Sequence, residues 1–210
     1  MSRTVVVDLG GVLLRWDPPA LLAEVWPELV PDRSTALTLA ARLFLDAAAG
    51  GGEWADFDRG VLGPDLLVAR LSARLGLPPG RLRDLLDAVP GHLSVQPDTA
   101  HLLDRLQADG VRLVYLSNMP APYADQLEVS PQFRSWFDGG VFSARVGHLK
   151  PEPRMYVEAR RRLGLDPART LLLDDRADNV AEAVRHGWSG AVFMDAGTAA
   201  AELAAGGWLG

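Results

Sequence analysis

The sequence predicts an α/β fold, a parallel sheet with an all-helical segment inserted after its first strand. Four short apolar runs alternate with segments of helical periodicity, the pattern that gives a parallel sheet covered by helices. Each of the first three runs is followed at once by small polar or acidic residues. From about Pro18 to Pro90 there is no strand pattern, only helical periodicity broken by Pro27, Pro31, Gly50–Gly52, Gly63-Pro64 and Pro78-Pro79.

Taken in order, Thr4–Val7 is the first strand, a β-branched run of the length a buried strand needs. The helical block follows with four or five helices. Ser34 is the expected N-cap of a helix over Thr35–Ala49, and Gly63-Pro64-Asp65 opens another that runs to Leu75, proline suiting a first turn. Pro97–Ala108 places Ala100, Leu102, Leu103 and Leu106 in helical register and stops before Asp109-Gly110. Arg112–Leu116 is the second strand. A helix over Pro153–Leu163 ends at Gly164, Thr170–Leu173 is the third strand, and a helix over Ala177–Arg185 ends at Gly187. Gly190–Phe193 is the last strand. Residues Ala196–Gly210 are small and weakly patterned, and read either as a short terminal helix or as a frayed end.

Composition narrows the chemistry. With 210 residues, 48% of them hydrophobic and 23% charged, the chain can bury a sizeable core and is not a disordered or fibrous protein. The absence of cysteine excludes disulfides, thiol nucleophiles and cysteine-held zinc. His92, His101, His148 and His186 are too scattered for a histidine cage, so any metal is a hard cation held by oxygen, such as Mg²⁺. A net charge of -6 argues against binding to nucleic-acid backbones. No run approaches the ~18 apolar residues of a membrane span, and the apolar start is shorter than the ~7–15 residues of a signal core. The expectation is a cytoplasmic protein with neither nucleic acid nor membrane as partner.

Ligands of open parallel sheets bind beyond the carboxyl ends of the strands. Here the first strand is followed by Asp8-Leu9-Gly10-Gly11-Val12, the second by Ser117-Asn118 and the third by Asp174-Asp175. One aspartate after a strand is unremarkable; three polar endings on one edge are not. Adjacent Asp174 and Asp175 repel each other, and Asp8 adds to the repulsion, which a divalent cation relieves. The plainer alternative makes the pair an N-cap of the following helix, which suits Asp175 but does not need Asp174. Lys150, in Gly147-His148-Leu149-Lys150-Pro151-Glu152-Pro153, is the single lysine against twenty arginines. A bias toward GC-rich codons explains the arginines. Lys150 is then either an ordinary solvated lysine or a compact point charge set among the carboxylates.

Asp8-Leu9-Gly10-Gly11-Val12-Leu13, Ser117-Asn118, Lys150-Pro151-Glu152-Pro153 and Asp174-Asp175-Arg176-Ala177-Asp178-Asn179 together resemble the four ordered motifs of the haloacid dehalogenase-like superfamily. The resemblance spans essentially the whole chain, and the Leu-Gly-Gly form of the first motif is most similar to a bacterial branch of sugar-phosphate and epoxide-hydrolase-type phosphatases. It implies a Rossmann-like parallel sheet core, residues 1–15 and 91–210, with an inserted all-helical cap, residues 16–90. It implies Asp8 as the nucleophile, forming an aspartyl-phosphate, with Lys150 neutralising Asp8 and the phosphoryl group. Ser117, Asn118 and Gly11 would bind substrate. Mg²⁺ would be held by Asp8, the Gly10 carbonyl, Asp174 and Asp175, with Asn179 supporting them. The expected partner is a small phosphorylated metabolite, possible sugar phosphates included, and the expected state is a monomer or small homo-oligomer.

One position departs from that pattern. The family's phosphatases usually carry an acid–base aspartate two residues after the nucleophile, where this chain has Gly10. The departure keeps two alternatives open, a catalytically weak binding protein of the same fold and a metal-independent haloacid dehalogenase. If the chain is a phosphatase, Gly10 predicts a steep dependence on leaving-group acidity unless a proton comes from elsewhere, with His148, Asp17 or Glu53 as sources. Residues 51–60, with Trp54 and Phe57 among charges, are expected either to face the site or to form the cap's own core; Trp16-Asp17 has the same two readings.

Overall fold

β1 (Thr4–Val7) is the central strand of a five-stranded parallel sheet in a computed structural model that describes residues 3–45 and 51–210. β2 (Arg112–Ser117) pairs on one side of it and β4 (Thr170–Asp174) on the other; β3 (Gly140–Phe142) and β5 (Ser189–Val192) form the two edges. The order β3-β2-β1-β4-β5 reverses direction between β1 and β4, the switch point where open α/β sheets bind ligands. Register sets Val7 level with Tyr115 and Leu173. Asp8, Ser117 and Asp174 therefore emerge together at one edge.

Alternating strand residues feed two apolar layers. Val5, Val7, Leu113, Tyr115, Leu171 and Leu173 pack into one cluster with α6 (Pro97–Ala108) and α11 (Ala196–Ala205), which resolves the C-terminal segment as a helix. Val6, Val114, Leu116 and Leu172 face the other way, onto Met155 and Tyr156 of α9 (Pro153–Leu163) and Ala183 of α10 (Ala177–Arg185). On the β3 side, α7 (Ala121–Val129) and α8 (Pro131–Trp136) connect β2 to β3.

Between Pro18 and His92 the described residues form α1 (Pro18–Val25), α2 (Arg33–Ala40), α3 (Gly52–Asp58), α4 (Pro64–Leu75) and α5 (Pro79–His92), and no named strand. Three local expectations need correction. α2 is capped by Asp32, whose carboxylate accepts the Thr35 N–H at 2.8 Å, so the helix starts before Ser34. It passes at Ala41 into a π-helical turn ending at Leu45, and the rest of the expected helix lies outside the described residues. The last strand starts one residue earlier than Gly190, and β3 has no counterpart among the four expected strands.

The chain leaves the sheet and returns to it side by side. Leu14 and Val95 form an antiparallel bridge, Arg15 N–H donates to the Ser94 carbonyl at 2.8 Å, and Gln96 N–H donates to the Leu13 carbonyl at 2.8 Å. The Gln96 amide and the Thr99 hydroxyl both donate to the Val12 carbonyl, at 2.8 and 2.9 Å. The two connections are thus a short paired ribbon next to the first loop.

Candidate active site

The carboxyl end of β1 delivers Asp8, 6% exposed, into a buried charge cluster. One oxygen, Oδ1, accepts the Leu9 N–H at 2.7 Å and lies 2.8 Å from Lys150 Nζ. The same ammonium donates to Asp174 Oδ2 at 2.6 Å. Asp174 is fully buried, and its Oδ1 accepts the Arg176 N–H at 3.0 Å and the Asn179 amide at 2.9 Å. Asp175 projects outward beside it, and oxygens of Asp8, Asp174 and Asp175 all lie within 4.8 Å of one another.

Lys150 is therefore no solvated surface lysine. Burial disfavours its ammonium, but Asp174 and Asp8 together outweigh that and raise its pKa. Burial also pushes Asp8 upward, helped by Asp174 and Asp175 and opposed by Lys150. Asp175 is raised by burial and by Asp174. Lys150 pairs closely with Asp8 and Asp174, while Asp175 feels Lys150 and Arg176 only at longer range, so the three carboxylates remain in excess at the mouth of the cleft. The N-cap alternative fails on geometry: the N-cap of α10 is Arg176, with no side-chain capping bond, and the Arg176 N–H goes to Asp174 rather than to Asp175.

This donor set fits a hard divalent cation. It consists of oxygen only and carries net negative charge; Asp174 already accepts three nitrogen donors, so Asp8 and Asp175 are the less encumbered carboxylates, with Asp174 still within reach. Gly11 makes the arrangement possible. Its φ is +81°, and a Cβ there would stand 2.5 Å from Asp175 Oδ2.

Above the cluster lies a cleft of about 320 Å³ between the sheet edge and the helical segment. Asp8, Gly10, Ser117, Asn118, Lys150, Asp175 and Asn179 line it, whereas Asp174 and Gly11 sit behind its wall. Asn118 holds the Lys150 backbone at both ends: its carbonyl accepts the Lys150 N–H at 2.8 Å and its amide donates to the Lys150 carbonyl at 3.1 Å. The opposite wall is apolar, built from Trp16, Phe44, Trp54, Val89, Leu93 and Tyr123. A chain of edge-to-face contacts runs through it, from Trp16 through Phe44, Trp54 and Phe57 to Tyr123, with centroids 4.5–5.9 Å apart. Trp54 thus serves both expected purposes at once, buried in the helical segment and facing the cleft, while Phe57 is core only.

The residues named as alternative proton sources are engaged elsewhere. Asp17 caps α1 through the Ala20 N–H at 3.1 Å, Glu53 pairs with Arg74 at 2.9 Å, and His148 lies 3.5 Å from Glu152. None of the three lines the cleft; Asp58, which the sequence did not single out, does. Asp58 is 8% exposed, and its carboxyl has no hydrogen-bond or ion-pair partner among the described residues. Its backbone carbonyl accepts the buried Ser143 hydroxyl at 2.5 Å, and that hydroxyl accepts the Met119 N–H at 2.9 Å. Arg59, next in the chain, pairs with Glu152 near Lys150. Gly60 then turns with φ +74° so close to Ala144 that a Cβ would lie 2.9 Å from its carbonyl oxygen.

The family model for haloacid dehalogenase-like hydrolases matches residues 2–187 of the chain. A sesquiterpene phosphatase of Aspergillus oryzae is 27% identical over 201 residues, 96% of this chain and 94% of the relative. A chloroplast flavin mononucleotide hydrolase of Arabidopsis thaliana is 30% identical over 156 residues, 71% of this chain and 60% of that protein. The fold superposes on a Bacteroides thetaiotaomicron enzyme crystallised with magnesium and inorganic phosphate, with a TM-score of 0.69 at 17% identity, covering 91% of this chain and 94% of the other.

Proposed function

The chain belongs to the haloacid dehalogenase-like hydrolases, and on that premise we propose that it is a Mg²⁺-dependent phosphatase of small organic phosphate monoesters. The observation that carries this reading is the buried Asp8–Lys150–Asp174 cluster, with Asp175 beside it at the mouth of the cleft. We assign residues 16–90 as the cap and residues 1–15 and 91–210 as the catalytic core, a division the paired ribbon at Leu14 and Val95 supports.

In this reading Asp8 attacks phosphorus. Its Oδ1 is fixed by Leu9 N–H and Lys150, which leaves Oδ2 without a partner among the described residues and free to form the new P–O bond. Lys150 neutralises the approaching phosphoryl oxygens while remaining anchored on Asp174. Ser117, buried at the end of β2, offers its hydroxyl to a phosphoryl oxygen. Asn118 works indirectly, by fixing the Lys150 backbone. Asp8, Asp175 and the Gly10 carbonyl would hold Mg²⁺, which when bound supplies the charge that lets a carboxylate approach a phosphate dianion. Asn179 keeps Asp174 aligned. Positioning and charge neutralisation are the main demands of phosphoryl transfer.

The aromatic wall bears on the substrate. A sugar hydroxyl would find few partners among Trp16, Phe44, Trp54, Val89 and Leu93, whereas an apolar or aromatic group would be buried by them. The favoured substrate is a phosphate ester of an apolar or aromatic alcohol, a reading consistent with a sesquiterpene phosphatase and a flavin mononucleotide hydrolase among the relatives.

The test is phosphate release from a panel of terpenyl, aryl and sugar phosphates, with Mg²⁺ and with EDTA. Release from the apolar esters that stops with EDTA and is abolished in Asp8→Asn supports the proposal. Full activity in EDTA, or in a carefully purified Asp8→Asn protein, overturns it. Halide release from 2-haloacids in EDTA would establish the dehalogenase alternative in its place.

A further inference from the structure

Cleaving a phosphate ester leaves an alkoxide unless a proton reaches the departing oxygen, and Gly10 offers none. The cleft contains several groups with protons, and most are committed. Lys150 is held between two carboxylates. Arg176 pairs with Asp178. The Tyr123 hydroxyl donates to the Leu86 carbonyl at 3.1 Å, and burial raises its pKa beyond any use as an acid near neutrality. Asp8 and Asp175 are occupied by the nucleophilic and metal-binding roles. Asp58 remains, a buried carboxyl on the opposite wall with no hydrogen-bond or ion-pair partner among the described residues.

We propose that Asp58, brought into the cleft by the last turn of α3, is the acid–base catalyst of the reaction. The inference rests on the phosphatase reading. In the first step Asp8 Oδ2 bonds to phosphorus, the bond from phosphorus to the ester oxygen breaks, and the Asp58 proton passes to that oxygen, releasing the alcohol. In the second, a water attacks the aspartyl-phosphate and its proton returns to Asp58. The P–O bond to Asp8 breaks, giving inorganic phosphate and restoring both carboxyl groups.

Burial pushes the Asp58 carboxyl up to about 8, against a smaller pull from Arg59, so it holds its proton at neutral pH. Arg59 on its own turn and Tyr123 on α7 are its immediate titratable neighbours; Lys150, Asp8, Asp175 and Arg176 line the same cleft. Its position is fixed from the core. Ser143 grips its backbone, and the Ser143 hydroxyl is itself held by Met119, two residues beyond Ser117. A carboxyl on the cap is thus tied to the loops that would hold the phosphate.

The test compares kcat/KM for a simple alkyl phosphate and for 2,4-dinitrophenyl phosphate, whose leaving group needs no proton, in wild type and Asp58→Asn. The alkyl-to-aryl ratio should fall in the variant by ~10²–10⁴, the usual worth of general acid catalysis. The wild-type rate should depend only weakly on leaving-group pKa, the reverse of what Gly10 alone predicts, and Asp58→Asn should make it steep. The loss of wild-type kcat/KM as pH rises through about 8 should vanish in the variant. An equal loss on both esters would make Asp58 a structural or binding residue, and no loss would remove it from the reaction; either overturns the inference while the phosphatase reading stands. Wild type inactive on both esters would overturn both.

Discussion

Asp58 is protonated in the fold near neutrality and ionised in the unfolded chain, and that difference makes it destabilising. Its carboxyl moves from the ordinary 3.8 to about 8 on burial, so between those values the folded state holds a proton that the unfolded state has lost. Stability contributed at this position is intact below about 3.8 and declines as pH rises toward 8. Asp58→Asn, which cannot ionise, should therefore gain stability relative to wild type steadily across that window and level off above it, as thermal denaturation at a series of pH values would show. The opposite trend would mean that Asp58 is ionised in the fold. The residue-level reading of the core was legible: Asp8, Lys150, Asp174 and Asp175 each follow a strand or stand out against composition, and the fold brings all four together. Asp58 was not legible in that way. Residues 51–60 stand out for their mixture of aromatics and charge, but which carboxyl of Glu53, Asp56 and Asp58 turns inward depends on how α3 packs. Glu53 pairs with Arg74 and Asp56 with Arg59, whereas Asp58 feels Arg59 but forms no ion pair among the described residues.

The strands of the central sheet were readable because a strand buried on both faces is a continuous apolar run, and β1, β2 and β4 are such runs. β3 was not. Three residues entered through Gly139-Gly140 have too little apolar length to signal a strand, and only pairing with β2 makes them one. The same short element bears on the acid–base role proposed for Asp58, because Ser143 follows it directly and bridges Asp58 to Met119. Ser143→Ala strips a buried carbonyl and a buried N–H of their partner, which should cost about 1–3 kcal/mol. Urea denaturation measures the loss, and kcat/KM should fall with it as Asp58 loosens. Unchanged stability would mean that water replaces the hydroxyl. The N-terminal end of α2 teaches a related point: Asp32 and Ser34 are both good caps, and the earlier one wins because its carboxylate reaches Thr35 N–H.

Across the whole molecule, the apolar cluster that contains Val5, Leu113 and Leu171 of the sheet runs without a break into Leu67, Leu71, Leu85 and Val89 of the helical segment. Cap and core should consequently melt together, and calorimetric and van't Hoff enthalpies should agree; two resolved transitions would show that the contact is weaker than the packing implies. The helical segment hangs from this body by the ribbon of Leu13–Arg15 against Ser94–Gln96. A single covalent thread could swivel and slide in any direction. Two hydrogen-bonded threads side by side cannot slide past each other without breaking the bonds at Arg15 and Gln96, so they bend far more readily than they shear. The stiff ribbon on one side and the Ser143–Asp58 hydrogen bond and Arg59–Glu152 ion pair on the other hold the helical segment at two separated places, so Asp58 is pinned across the cleft from Asp8 as a beam is by its two supports.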